Sequence, residues 1–129
     1  MREPDAETDA LARAVIGAAI AVHRVLGPGY LESVYEEALA LEMTARNIPF
    51  ERQARVVAYY QGHVVGEGRI DYLVGGTLVV ELKAVDELTP IHTAQVISYL
   101  KVTGQVLGLL INFNSVLLGE HGLRRIVYS

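Results

Sequence analysis

Asp71, Glu81 and Lys83 each place a charge inside an apolar, β-prone run. The first run is Arg69-Ile70-Asp71-Tyr72-Leu73-Val74. The second is Thr77-Leu78-Val79-Val80-Glu81-Leu82-Lys83-Ala84-Val85, and Gly75-Gly76 joins them. Such a pattern predicts a hairpin from the interior of a sheet, where an unpaired charge costs roughly several kcal/mol. Alternation along the second strand puts Val79, Glu81, Lys83 and Val85 on one face and Val80, Leu82 and Ala84 on the other. Asp71 shares its face with Arg69 and Leu73, and the short turn brings it opposite or diagonal to Glu81. Two carboxylates held together in a weakly solvated site repel unless a cation lies between them. A hard divalent cation meets that need: Mg²⁺, with Mn²⁺ as a substitute, takes oxygen donors and commonly uses one or two carboxylates plus a substrate phosphate. The main-chain carbonyl of Leu82 is a further donor. Lys83, protonated, is no ligand, but it is placed to orient an attacking water or to stabilise negative charge developing on a phosphate. The competing reading is a ligand-free buried network of the three charges, a poor stabiliser beside apolar packing.

The elements that must position these residues follow from periodicity and punctuation. Asp9 is a candidate N-cap for a helix ending near Leu26, with Leu11, Val15, Ala18, Ala19 and Val22 on one face. His23 reads as an edge histidine of that helix, with a metal or catalytic role as the alternative. Gly27-Pro28-Gly29 stops the helix. A second helix is expected from Tyr30 to about Asn47, with Val34, Ala38, Leu41 and Ala45 as its apolar stripe. Glu32 and Glu36 lie four apart on one face, with Tyr35 three from Glu32; alone, they read as a solvated acidic first turn favoured by the helix dipole. Strands follow at Arg52 to Tyr60 and Val64 to Val74, turned by Gln61-Gly62. Arg52, Arg55 and Arg69 are either ordinary surface residues or a modest phosphate-facing patch. Thr89-Pro90 starts a helix to about Val102 whose one face carries His92, Gln95 and Tyr99, and Gly104 closes it. The apolar run Gln105 to Phe113 predicts a buried strand parallel to an earlier one, and Leu123 to Tyr128 a last strand. The fold class is α/β with a mixed sheet: two N-terminal helices, a three-stranded meander, a crossover helix, then one or two further strands.

With 129 residues, half of them hydrophobic and one fifth charged, the chain fits one globular domain, residues 9–129, after a flexible tail at residues 1–8. The absence of Cys excludes disulfides, thiolate zinc sites and a cysteine nucleophile. No basic, apolar leader and no bilayer-length run is visible, so a soluble, cytoplasmic protein with no membrane partner is expected. A net charge of −4 provides no general field for phosphates.

Asp71 followed on the next strand by Glu81-Leu82-Lys83 resembles the signature of the PD-(D/E)XK nuclease superfamily. Gln95 to Tyr99 is similar to the Gln-x-x-x-Tyr motif of its RecB-like and lambda-exonuclease-like branches, and Gly29-Tyr30-Leu31-Glu32-Ser33-Val34-Tyr35 to the motif that names the small GxxExxY family. The resemblance covers about Leu11 to Phe113. It implies a restriction-endonuclease-like core and a Mg²⁺-dependent nuclease acting on nucleic acid, DNA before RNA. It also implies that Asp71 and Glu81 ligate metal, that Lys83 is the catalytic lysine, and that Glu32 completes the metal site directly or through water. Gln95 and Tyr99, with Tyr35 and Arg69, would meet substrate. The small, acidic chain suggests that substrate affinity needs a homo-oligomer or a partner protein. The alternative is a nuclease-fold binding or assembly module without turnover.

Overall fold

The computed structural model describes residues 3–129. Helix α1 spans Ala6–Leu26. Its cap is Asp5, whose side chain accepts the Thr8 N–H at 2.7 Å, so the helix begins before the Asp9 expected from sequence. Thr8 explains the earlier start: it is buried, and its hydroxyl bonds that of Thr77 at 3.0 Å. Asp9 pairs instead with Arg125 at 2.6 Å. The tail expected at residues 1–8 lies partly outside the described residues, and from Ala6 onward it is helix. At the other end Gly27 takes φ 69° and its N–H caps the His23 carbonyl at 2.8 Å, while Pro28 forbids continuation.

Helix α2 spans Glu32–Ala45 and buries Tyr35, Leu39, Ala40 and Met43. The expected stripe of Val34, Ala38, Leu41 and Ala45 is therefore rotated, and Val34 and Leu41 face solvent. The large Tyr35 ring decides the rotation, stacking on Phe113 with centroids 4.7 Å apart. The strands β1 (Phe50–Tyr60), β2 (His63–Val74) and β3 (Leu78–Lys83) form the meander, α3 (Pro90–Thr103) crosses over, and β4 (Leu107–Asn112) and β5 (Leu123–Val127) follow. A π-helical turn at Leu118–Gly122, not foreseen from sequence, links the last two strands. The sheet order is β1-β2-β3-β4-β5. Only β3 and β4 run parallel, from Leu78↔Leu107 to Lys83↔Asn112, as a helical crossover requires.

α1 and α2 cover one face of the sheet, burying Val15, Ala18, Val22, Tyr35, Leu39 and Met43 against Tyr72, Val80, Leu82, Leu109 and Ile111. α3 covers the other, where Val96 and Leu100 meet Ile70, Val79 and Leu110. Among the described residues no helix is long and apolar enough to cross a membrane.

The seat of α3 depends on Gly108, because a Cβ there would come within 2.5 Å of the Val96 methyl Cγ1. Val96 is fully buried and stiff about χ1, so the clash has no cheap escape. Gly108→Ala is expected to destabilise the protein by about 1–3 kcal/mol, read from urea unfolding midpoints, by lifting α3 from the sheet.

Candidate functional site

The two runs of the sequence do form a hairpin, with pairs Val74↔Leu78, Leu73↔Val79 and Tyr72↔Val80. Gly75 and Gly76 take φ 58° and 75° in the turn, a region costly for other residues. Beyond Tyr72 the strands part. Where the next rung would be, side chains replace the backbone ladder: the Asp71 N–H donates to Glu81 Oε1 at 3.3 Å, and Asp71 Oδ2 accepts the Leu82 N–H at 2.8 Å. β3 meanwhile stays paired with β4 through Lys83. The fork between β2 and β3 is thus filled by two carboxyl groups, both buried.

That placement dominates the electrostatics. Burial, and after it the adjacent Asp71 charge, pushes the Glu81 carboxyl up to about 9, so in the metal-free protein it holds a proton at neutral pH. Lys83 points to the same side and its Nζ donates to Gln95 Oε1 at 3.1 Å. One turn along α3, Tyr99 is raised by burial first and by the charge on Glu81 second, while the Gln95 side chain acts in the opposite direction. Its ring lies against β2 where Gly68 leaves room: a Cβ there would come within 3.1 Å of the Tyr99 hydroxyl. Glu32, the first residue of α2, is raised by desolvation, then by Asp71 and, more weakly, by Glu36, with Lys83 opposing.

The structure therefore brings Asp71, Glu81, Lys83, Gln95 and Tyr99 together, with Glu32 within electrostatic reach. Among the described residues, no three His, Asp or Glu side chains converge as a ready cage. Two carboxylates still suit Mg²⁺, which keeps several waters and takes few protein ligands. The buried pair, one member carrying a displaceable proton, is a donor set that a divalent cation fits.

Other expectations are corrected. Tyr35 is fully buried, its hydroxyl donating to the Gly27 carbonyl at 2.6 Å and accepting the Tyr30 N–H at 3.1 Å. It is not presented to a substrate; it pins the loop that delivers Glu32 to the start of α2. The phosphate-facing patch does not form: Arg52 is held by Glu36 at 2.6 Å and Glu37 at 2.8 Å, and Arg55 by Glu67 at 2.7 Å. Arg69 is exposed and donates to the Gln53 carbonyl at 3.2 Å. His92 accepts the Thr89 N–H at 3.0 Å and so serves the start of α3. His23, by contrast, is the edge histidine expected from sequence, buried and bonded to the Ser115 carbonyl at 2.7 Å. Sequence reasoning missed Gln53, Glu36 as a partner of the site, and Gly68. Glu36 alone left a signal, in its four-residue spacing from Glu32.

A profile of the PD-(D/E)XK nuclease superfamily matches residues 9–126. The chain belongs to that superfamily. No curated protein and no solved structure matched it. The five-stranded mixed sheet with helices on both faces is consistent with the superfamily's restriction-endonuclease-like core, and PD-(D/E)XK nucleases generally use divalent metals.

Two outcomes are expected of the metal-free protein. An unfolded glutamate releases its proton near 4.5, whereas folded Glu81 keeps it to about 9, so the unfolded state binds fewer protons between those values and stability falls as pH rises through that window. Melting curves in EDTA from about pH 5 to about pH 9 should show that decline, and Glu81→Gln should flatten it. Tyr35→Phe leaves the partly buried Gly27 carbonyl without its donor, with an expected loss of about 1–3 kcal/mol in urea unfolding.

Proposed function

We propose that this protein is a Mg²⁺-dependent nuclease that hydrolyses phosphodiester bonds of DNA, or of RNA, with Mn²⁺ able to substitute. The observation that carries the reading is the β2–β3 fork, where Asp71 and buried, proton-holding Glu81 stand beside Lys83 in a chain of the nuclease superfamily. Asp71 and Glu81 would hold the cation, with the Leu82 carbonyl as a further oxygen and Glu32 contributing directly or through water. When bound, the cation would supply Lewis-acid activation of the phosphate and lower the pKa of the attacking water.

The chain's own residues do the remaining work. Binding requires Glu81 to give up its proton, so loading is favoured as pH rises. Lys83, steadied by Gln95, directs its ammonium at the phosphate oxygens where charge builds during in-line attack. Gln95 and Tyr99 line the α3 side of the cleft as donors to substrate phosphate, and Arg69, exposed on β2, offers a charge along the approach. Tyr35 acts through the loop that positions Glu32. The Gly29 to Tyr35 segment supports membership of the GxxExxY group, and Gln95 with Tyr99 supports kinship with the RecB-like branch. The pairing of Arg52 and Arg55 with glutamates and the net charge of −4 favour substrate capture by a homo-oligomer or with a partner protein.

Cleavage of single-stranded, duplex and branched DNA and RNA should depend on Mg²⁺ or Mn²⁺ and stop in EDTA. Glu81→Gln should abolish it and Lys83→Ala should reduce kcat about 100-fold or more. Equal activity in the unaltered protein and both variants would identify a contaminating nuclease and sink the assignment. Saturating Mn²⁺ should also raise Tm, by about 2.7 kcal/mol of added stability at 100 times Kd; no response would favour a binding module that has lost turnover.

A further inference from the structure

Gln53 is out of keeping with its strand. It has φ 51°, in a left-handed region that costs a residue with a Cβ about 1–2 kcal/mol. The other described non-glycine residues with positive φ, Asn47 and Gln61, lie in turns, where that geometry is expected. Gln53 lies mid-strand, between the pairs Arg52↔Tyr72 and Ala54↔Ile70. Those two pairs share one register, so no residue is inserted; what changes is which way the side chains face. Before Gln53, Phe50 packs on the α1/α2 core, whereas Ala54 and Val56 pack on the α3 core. The partner strand reverses at the same rung, with Ile70 on the α3 side and Tyr72 and Val74 on the α1/α2 side. Ordinary alternation would keep residues two apart on one face. The residue opposite Gln53, at the centre of the reversal on β2, is Asp71.

The side chain of Gln53 spans two carboxylates. Its Nε2 donates to Glu36 Oε1 at 2.7 Å and lies 3.5 Å from Asp71 Oδ1. Glu36 is itself fixed by Arg52, so the amide is anchored from the α2 side and presents its second N–H to Asp71. Asp71 is then held from both ends, Oδ1 facing the Gln53 amide and Oδ2 accepting the Leu82 N–H at 2.8 Å. Arg69 closes the arrangement from behind by donating to the Gln53 carbonyl.

We infer that Gln53 is a positioning residue of the site: its left-handed backbone and Glu36-anchored amide turn Asp71 out of the β1–β2 ladder and fix its carboxylate in the β2–β3 fork. The inference takes its purpose from the metal-site reading above, but the fixing of Asp71 is a property of the metal-free chain. A strained residue that persists mid-strand implies that its surroundings hold it there.

Gln53→Gly and Gln53→Met separate strain from positioning, since glycine relieves the backbone while removing the amide, and methionine keeps bulk and strain without donors. Hydrogen exchange of the Leu82 amide, measured by NMR on metal-free protein, and Mn²⁺ titration of the same samples are the readouts. In both variants the Leu82 amide should exchange about tenfold faster or more and Mn²⁺ should bind about tenfold more weakly or more, with the melting temperature of Gln53→Gly equal to or above that of the unaltered protein. Unchanged Leu82 exchange and Mn²⁺ affinity in both variants would overturn the inference. If Gln53→Gly fails to fold, Gln53→Met decides by the same two measurements. Faster Leu82 exchange in the variants of a protein that binds no Mn²⁺ would support the positioning of Asp71 while overturning the nuclease reading.

Discussion

Where β2 and β3 separate, two strands that pair normally from Val74 to Tyr72 stop exchanging backbone hydrogen bonds, and the side chains of Asp71 and Glu81 take over. The main-chain groups at that rung remain satisfied, as buried donors must be, but their acceptors are now carboxylates. Charge enters the interior because the backbone needs those acceptors. The same choice leaves the two carboxyl groups side by side out of water, so one of them keeps a proton. Structural satisfaction and a pair of adjacent carboxyl oxygen donors are thus one feature of the hairpin.

The rest of the chain is arranged to keep that fork open and furnished. Parallel pairing of β3 with β4 holds Glu81 and Lys83 on a rigid strand even as β2 departs. Gly108 lets α3 sit close on the sheet, bringing Gln95 to Lys83 and laying Tyr99 over Gly68. On the other side, Tyr35 fills the core beneath the α1–α2 loop and ties down its main chain, so that α2 begins at Glu32. Residues that look like one catalytic motif therefore do different things, since within Gly29 to Tyr35 the glutamate faces the site while the tyrosine builds the loop that presents it.

Much of this was legible beforehand. Three charges inside apolar strands marked the site, because burial makes an unexplained charge expensive. Gly-Gly fixed the hairpin, Thr89-Pro90 and Gly104 bounded α3, and the apolar run after Gly104 required a crossover to a parallel strand. Less legible were features set by neighbours. The rotation of α2 came from one aromatic ring finding Phe113 rather than from the helical stripe, and the start of α1 came from Thr8 reaching Thr77. Two arginines that could have met phosphate on sequence grounds, Arg52 and Arg55, were already claimed by glutamates from other elements.

By itself the sequence determined the order and type of the elements, the two carboxylates and lysine of the fork, and the glutamine and tyrosine on the crossing helix. These depend on periodicity, turn chemistry and the cost of buried charge, all of which act locally along the chain. Only the tertiary structure decided that Arg52 is claimed by Glu36 and Glu37, that Tyr35 is sealed in the core, and that Gln53 bridges Glu36 and Asp71. Those outcomes depend on which side chains from distant segments compete for the same space and the same hydrogen bonds, and no local pattern encodes the winner. The reversal of side-chain direction at Gln53 and Asp71 is the clearest case: two strands change face together at one rung, a cooperative event between residues 18 positions apart in the chain.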